Sequence, residues 1–338
     1  MKTLFVILFL FAAGTTPSAA VDRQSTPKDQ APKSETVPPT LGNVPYGKHE
    51  RNVLDFWKAE GETPRPLLVF IHGGGWTNGD KTRIGQKFLQ RFLRRGVSVA
   101  SINYRMSDQA PLPAPVHDAA RAVQFLRWKA PEWNLDPQRI ALSGGSAGGC
   151  TSMWILLHDD LADPNASDPV QRESTRVSGA AVSSAQPSID PRVVSSWVGP
   201  NVLQHRMIHR AVGERTMEGV LRNEEKYRPL FEEFSPYNHL DGKDPPLFLT
   251  YGKDVTLPAK NGGHGIHHPV FGIKTKEKSD ALGHECHLLI PGVSKPKEYK
   301  NANQFLLAVL LSDGSEHESQ RNGGATKTRT GKQSPQGR

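Results

Sequence analysis

The sequence predicts an α/β fold: a doubly wound, mainly parallel sheet with helices on both faces and a small cap insertion. Three observations carry that expectation. Apolar, β-rich runs alternate with amphipathic helical patterns. Most of those runs are continuously apolar, as strands covered on both faces are. One run ends in a Gly-x-Ser-x-Gly turn that opens a helix. Alternation of this kind favours parallel pairing through right-handed crossovers.

In chain order the strand candidates are Leu67–Ile71, Val97–Ile102, Ile140–Ser143, Val177–Val182, Leu247–Tyr251 and Glu285–Ile290. Asn52–Lys58 is expected to add an antiparallel edge strand ahead of them. Between the strands, Ile84, Phe88, Leu89, Phe92 and Leu93 form one apolar helical stripe. Val116, Ala119, Ala120, Val123 and Leu126 form a second, and Tyr299, Ala302, Leu306, Val309 and Leu310 a closing one. Residues 188–240 break this rhythm, with Trp197, Met207, Met217, Tyr227 and Phe231 scattered among charges. An insertion between strands at the carboxyl side of a sheet is where a cap would lie. A helical excursion with its own small core is the equal alternative.

The 338 residues suffice for one large α/β domain, expected over residues 43–311. Lys2, the apolar stretch from Leu4 to Ala13 and the small residues Ser18-Ala19-Ala20 read as a signal peptide over residues 1–20. A secreted or periplasmic protein with no integral membrane span in its mature part is therefore expected. Residues 21–42 and 312–338 are poor in large apolar groups and are expected to be a disordered linker and tail. The formal net charge of +8 lies partly in those tails, so no nucleic-acid partner is expected. Cys150 and Cys286 fall on elements roughly three strand spacings apart and are expected to be free, buried thiols. Asn165-Ala166-Ser167 is a glycosylation sequon.

The chemistry concentrates in two glycine-rich stretches. In Ser143-Gly144-Gly145-Ser146-Ala147-Gly148-Gly149 the turn needs glycines because its backbone is strained and its neighbours pack too closely for side chains. Ser146 is the candidate nucleophile, a hydroxyl held clear of the strand ends where a base and a substrate can approach from different sides. His72-Gly73-Gly74-Gly75-Trp76 follows the first apolar strand directly. Backbone amides of Gly74 and Gly75, with that of Ala147, can converge there on a developing oxyanion. His72 is expected to brace this loop rather than act as a base. Without a substrate or base, the same stretches would be glycine turns that pack a helix on a sheet.

Taken together these motifs resemble the α/β-hydrolase superfamily, and within it the hormone-sensitive-lipase-like esterases, a group that includes carboxylesterases and acetyl-xylan or feruloyl esterases. The match runs in order through His72–Trp76, Asn103-Tyr104-Arg105, Asp136-Pro137-Gln138-Arg139-Ile140, Gly144–Gly149 and Asp244-Pro245-Pro246, over roughly residues 44–311. The resemblance implies cleavage of carboxylic esters without a cofactor, on a small-molecule or polysaccharide-linked ester. It also implies that Asp254, after Leu247–Tyr251, is the triad acid. The alternative role for Asp254 is capping a turn.

The family carries its histidine after the last strand, and here that loop, Pro291-Gly292-Val293-Ser294-Lys295-Pro296, has none. His284 and His287 bracket the strand's start and are expected to be structural. Three explanations compete. The base has moved to Gly262-Gly263-His264-Gly265-Ile266-His267-His268, with His267 or His268 reaching inward; or a desolvated Lys295 replaces it; or turnover is lost and the fold only binds. Relocation is preferred. A metal held by His264, His267, His268 and Asp254 matches no strong zinc spacing, and no metal is expected. A peptidase of the prolyl-oligopeptidase kind is disfavoured, because no propeller-sized segment precedes residue 44.

Overall fold

The continuously apolar runs pair into one eight-stranded sheet in the computed structural model, which describes residues 36–312. Its strands are β1 (Leu41–Pro45), β2 (Val53–Trp57), β3 (Arg65–Ile71), β4 (Ser98–Ile102), β5 (Leu135–Gly145), β6 (Gly179–Ser183), β7 (Leu247–Thr250) and β8 (Cys286–Leu289). They lie in the order β1-β2-β4-β3-β5-β6-β7-β8. The pairs β1/β2 and β2/β4 are antiparallel, and all the others are parallel. This is the doubly wound arrangement that the alternation predicts.

Helices α1 (Gln86–Leu93), α2 (Ala114–Trp128), α3 (Ala130–Trp133) and α4 (Ala147–Leu157) punctuate the first half. Helices α5 (Pro191–Val198), α6 (Met207–Ala211), α7 (Met217–Arg222), α8 (Glu224–Glu233) and α9 (Pro236–His239) fill the insertion between β6 and β7. Then come α10 (Gly262–Ile266), α11 (Val270–Leu282) and α12 (Ala302–Leu311).

Successive strand side chains point to opposite faces, and the core divides accordingly. Leu68, Val99, Ala141, Ala181 and Phe248 pack with Leu89 and Phe92 of α1 and Phe305, Leu306 and Leu310 of α12. Their neighbours Leu67, Val69, Ala100, Leu142 and Val182 pack on the other face with Val116 and Val123 of α2 and Met153 and Trp154 of α4. Each fully buried Leu or Phe here contributes roughly 1.5–3 kcal/mol. Val194, Val198, Val202, Met207, Ile208, Val220 and Phe231 of the insertion join that second cluster. The insertion therefore shares the sheet's core instead of building one of its own.

Sheet pairing is already present ahead of the expected boundary at residue 43, with Leu41 opposite Phe56. Strand β1 hides in Leu41-Gly42-Asn43-Val44-Pro45, which carries only two large apolar residues and has Asn43 at φ 53°. It is an edge strand held by its neighbours. The Val37 amide donates to Gln86 Oε1 at 2.9 Å, and Trp57 Nε1 donates to the Val37 carbonyl at 3.0 Å. The expected signal peptide, the linker up to residue 35 and the tail beyond Ser312 lie outside the described residues. Among the described residues no helix is long and apolar enough to cross a membrane. Cys150 and Cys286 are both free and buried.

Candidate active site

Strands β3 and β5 are neighbours in the sheet, so the loops leaving their carboxyl ends face one another. The turn from β5 into α4 places Ser146 at φ 52°, ψ −126°, a conformation that side chains rarely adopt. Close packing leaves no alternative course for the chain. A Cβ on Gly148 would lie 2.1 Å from the Ile71 carbonyl oxygen, and one on Gly144 2.5 Å from that of Gly148. The Ser146 amide donates to the Ser183 carbonyl at 2.9 Å, tying the turn to β6. Its hydroxyl is left half-buried at the strand ends.

Across from it runs the loop after β3. Gly74 and Gly75 have φ of 122° and 62°, and a Cβ on Gly74 would lie 1.9 Å from the Asn78 carbonyl oxygen. The amides of Gly74, Gly75 and Ala147 meet no acceptor among the described residues. His72 is fully buried, stacks on Tyr104 with ring centroids 4.3 Å apart, and holds the Gly73 carbonyl with Nδ1 at 2.8 Å. Tyr104 completes the brace by donating its hydroxyl to the His72 carbonyl at 2.7 Å. Burial pushes the His72 imidazole down to about 4, with the Gly73 carbonyl opposing. It stays neutral at physiological pH.

The glycine-rich stretch after β7 forms α10, and the turn at its end brings His267 to the serine. Ser146 Oγ and His267 Nε2 are 2.9 Å apart. On the other side of the ring, Nδ1 lies 3.0 Å from the Gly263 carbonyl oxygen. A carbonyl can only accept, so Nδ1 carries the proton and Nε2 presents a lone pair to the hydroxyl. Burial lowers the pKa of this imidazole, and the Gly263 carbonyl partly offsets the effect. The loop owes its position to close approach. A Cβ on Gly262 would lie 2.7 Å from the His205 amide nitrogen, and one on Gly265 2.8 Å from Val202 Cα. Gln186, fully buried, donates its Nε2 to the carbonyl of Ile266, the residue before His267, at 2.6 Å.

The other candidates go elsewhere. The Asp254 carboxylate binds Lys260 Nζ at 2.6 Å and accepts the Thr256 amide at 3.1 Å; its partner is the lysine rather than His267. Lys260, ahead of the Thr256 side chain and amide, holds that carboxyl below the usual range. His268 is buried, with Nε2 3.1 Å from the Thr256 carbonyl oxygen and Nδ1 accepting the Val270 amide. His264 Nε2 lies 3.1 Å from the Asp254 carbonyl oxygen. The three loop histidines thus face three different partners and do not converge on one point. Lys295 is exposed in the turn after β8. His284 is spanned by Ser279 and the Pro245 carbonyl, and His287 pairs with Glu285, both remote from Ser146 in their contacts.

A cavity of about 170 Å³ opens over the Ser146–His267 pair, lined by Gly74, Gly75, Thr77, Asn78, His205, Arg206 and Met207. A larger groove of about 1820 Å³ lies around Ser178, Pro245 and Pro246, at the amino ends of β6 and β7, and is lined by neither Ser146 nor His267. The smaller one is lined by both Ser146 and His267 and lies on the carboxyl edge, where ligands of open α/β sheets bind.

Residues 54–263, more than half of the chain, match the model of the BD-FAE family. The chain belongs to the BD-FAE family. Among curated proteins it is 28% identical over 224 residues to esterase LipQ of Mycobacterium tuberculosis, covering 64% of this chain and 49% of LipQ. It is 30% identical over 162 residues to carboxylesterase NlhH of the same organism, covering 47% of this chain and 50% of NlhH. The chain spans about half the length of the curated relatives it matches. A truncated carbohydrate esterase from gut microbiota aligns over 80% of this chain and 96% of its own with a TM-score of 0.63 at 20% identity, a likeness of fold. The BD-FAE match places the chain in the α/β-hydrolase-fold esterase and lipase superfamily by a different family from the hormone-sensitive-lipase-like group suggested by motif order.

In this BD-FAE chain, sequence reasoning names Met207 only as part of the insertion and passes over His205 and Arg206, which the insertion delivers with it to the cavity wall, and Gln186, which anchors the histidine loop. None sits in a motif. The one available signal was positional: a break in the strand–helix rhythm at the carboxyl side of the sheet.

Proposed function

We propose that the chain is a serine hydrolase that cleaves carboxylic esters through an acyl-enzyme on Ser146, with His267 as base. The observation that carries this reading is the 2.9 Å contact between Ser146 Oγ and His267 Nε2, made beside three amides without acceptors. Oγ attacks the ester carbonyl carbon while its proton passes to His267 Nε2, and the carbonyl electron pair moves onto the oxygen. The amides of Gly74, Gly75 and Ala147 receive that oxyanion, aided by the amino-terminal end of α4. The intermediate collapses, the alcohol leaves with the proton from Nε2, and water repeats the sequence to release the acid.

Asp254 has no part in this scheme; the Gly263 carbonyl fixes the tautomer that a carboxylate fixes in a conventional triad. A cavity of about 170 Å³ suits a short acyl group. An ester of a carbohydrate alcohol is the substrate class we favour, since Thr77, Asn78 and His205 give the wall polar groups and similarly folded proteins include a carbohydrate esterase. We also read residues 1–20 as an export signal, which places the activity outside the cytoplasm.

A fluorophosphonate probe and p-nitrophenyl acetate, applied to the wild type beside Ser146→Ala and His267→Ala, test the scheme. Labelling and hydrolysis are expected in the wild type and lost in both variants. An inert wild type would favour a protein that binds without turnover. Hydrolysis that survives His267→Ala would move the base elsewhere.

A further inference from the structure

His205 closes a short 3₁₀ turn, Pro200–Gln204, within the insertion, and its ring stands edge-on to His267 with centroids 6.0 Å apart. Its surroundings fix it from both sides. The Gly262 backbone of the histidine loop packs directly on the His205 amide, while Met207, two residues on, lies against Gly75. The segment therefore bridges the base and the proposed oxyanion loop as one wall of the cavity. The Met207 amide donates to His205 Nδ1 at 3.2 Å. That nitrogen is an acceptor, so the neutral ring carries its proton on Nε2. His205 Nε2 meets no hydrogen-bond partner among the described residues, and the side chain lines the cavity.

Resting on the proposed hydrolase reading, we infer that His205 Nε2–H is a substrate-contacting donor that binds an oxygen on the alcohol side of the ester. The side follows from the chemistry. The leaving oxygen takes its proton from His267 Nε2, so the alcohol lies along the His267 edge of the cavity, and His205 is the imidazole beside that edge. Burial, then the neighbouring His267, Arg206 and His209, push its pKa down to about 4. It remains a neutral donor at working pH and does not compete with His267 for a proton. The preferred alcohols are those with a hydroxyl or ether oxygen on the carbon next to the ester-bearing carbon, as a vicinal polyol has; alcohols with a methyl there leave the donor unpaired.

The test pair is 2-hydroxyethyl acetate and propyl acetate, which differ by a hydroxyl in place of a methyl. The wild type is expected to favour the first by about tenfold in kcat/KM. His205→Phe brings that ratio to about one, whatever it does to the absolute rates, and His205→Gln, whose amide nitrogen reaches a similar point, restores part of it. In Ser146→Ala, where turnover is blocked, 2-hydroxyethyl acetate moves the His205 Nε2–H proton resonance and propyl acetate does not. An unchanged ratio in His205→Phe, or a resonance indifferent to both esters, overturns the inference. A wild type that turns over neither ester while the resonance still responds overturns the nucleophile scheme and leaves this contact standing.

Discussion

The Gly263 carbonyl oxygen lies 3.0 Å from His267 Nδ1, the position a carboxylate takes in a conventional serine triad. Two residues of one short loop, four positions apart, thus supply both the proton acceptor and its orienter. A carbonyl dipole selects the same tautomer as a carboxylate does, but stabilises the imidazolium formed during attack less. Two consequences separate this arrangement from a triad.

The first concerns Asp254. Its carboxylate is partly exposed and engaged with Lys260, so Asp254→Asn is expected to change kcat/KM on p-nitrophenyl acetate by less than about threefold. Removing a true triad carboxylate costs about 10⁴ in kcat. A loss beyond about 10²-fold would mean that Asp254 reaches His267 in the working enzyme.

The second concerns acidity. His267 must be neutral to accept the serine proton, so activity falls as pH drops through its pKa. Burial lowers that pKa and no carboxylate raises it again. The acid limb of the kcat/KM profile is therefore expected below the ordinary imidazole value of about 6.5. A limb at or above that value would require a negative charge beside Nδ1.

How much of this was legible follows from how far each feature depends on local sequence. The central strands are continuous apolar runs whose identity needs no distant partner, and six of them stand where the pattern puts them to within a few residues, β5 starting earliest. Strand β1 escaped because what holds it is its antiparallel pairing with β2 and the Asp55 carboxylate that accepts the Asn43 amide, not a pattern in its own five residues. The glycine turn around Ser146 was readable because steric exclusion writes itself into residue type. Which of His264, His267 and His268 faces Ser146 was not, since three histidines within five positions differ only in the course of the loop. The partner of Asp254 was a contest between a distant imidazole and a lysine six residues away, and sequence holds no term for it. His205 and Met207 reach the cavity through the fold of an insertion that carries no motif.

His72 links the loop brace to stability. Its pKa falls from about 6.5 in the unfolded chain to about 4 in the fold, where it is fully buried. The unfolded state then binds the proton more readily, so this contribution is intact above pH 6.5 and is lost as pH falls toward 4. The shift corresponds to ~3 kcal/mol. Urea unfolding at pH 7 and pH 4 is expected to show His72→Phe losing about that much less than the wild type over the interval. Other buried histidines titrate alike in both proteins and cancel. Equal losses in the two would mean that His72 is protonated within the folded state at little cost.

Gln186 offers the sharpest division between holding the fold and holding the base. Its Nε2 serves the carbonyls of Ile266, at 2.6 Å, and Ser184, at 3.1 Å, in a fully buried position. Gln186→Leu leaves both carbonyls without that donor, and orphaning the buried Ile266 carbonyl costs about 1–3 kcal/mol. A fall in the urea midpoint is expected for that reason alone. Because Ile266 precedes His267, the same change frees the loop that sets the imidazole against Ser146. The expected kinetic signature is a kcat at least about tenfold lower with KM nearly unchanged, measured well below the unfolding midpoint. A variant that is less stable but keeps its kcat would show that α10 and its glycine contacts with Val202 and His205 position His267 without help from this side chain.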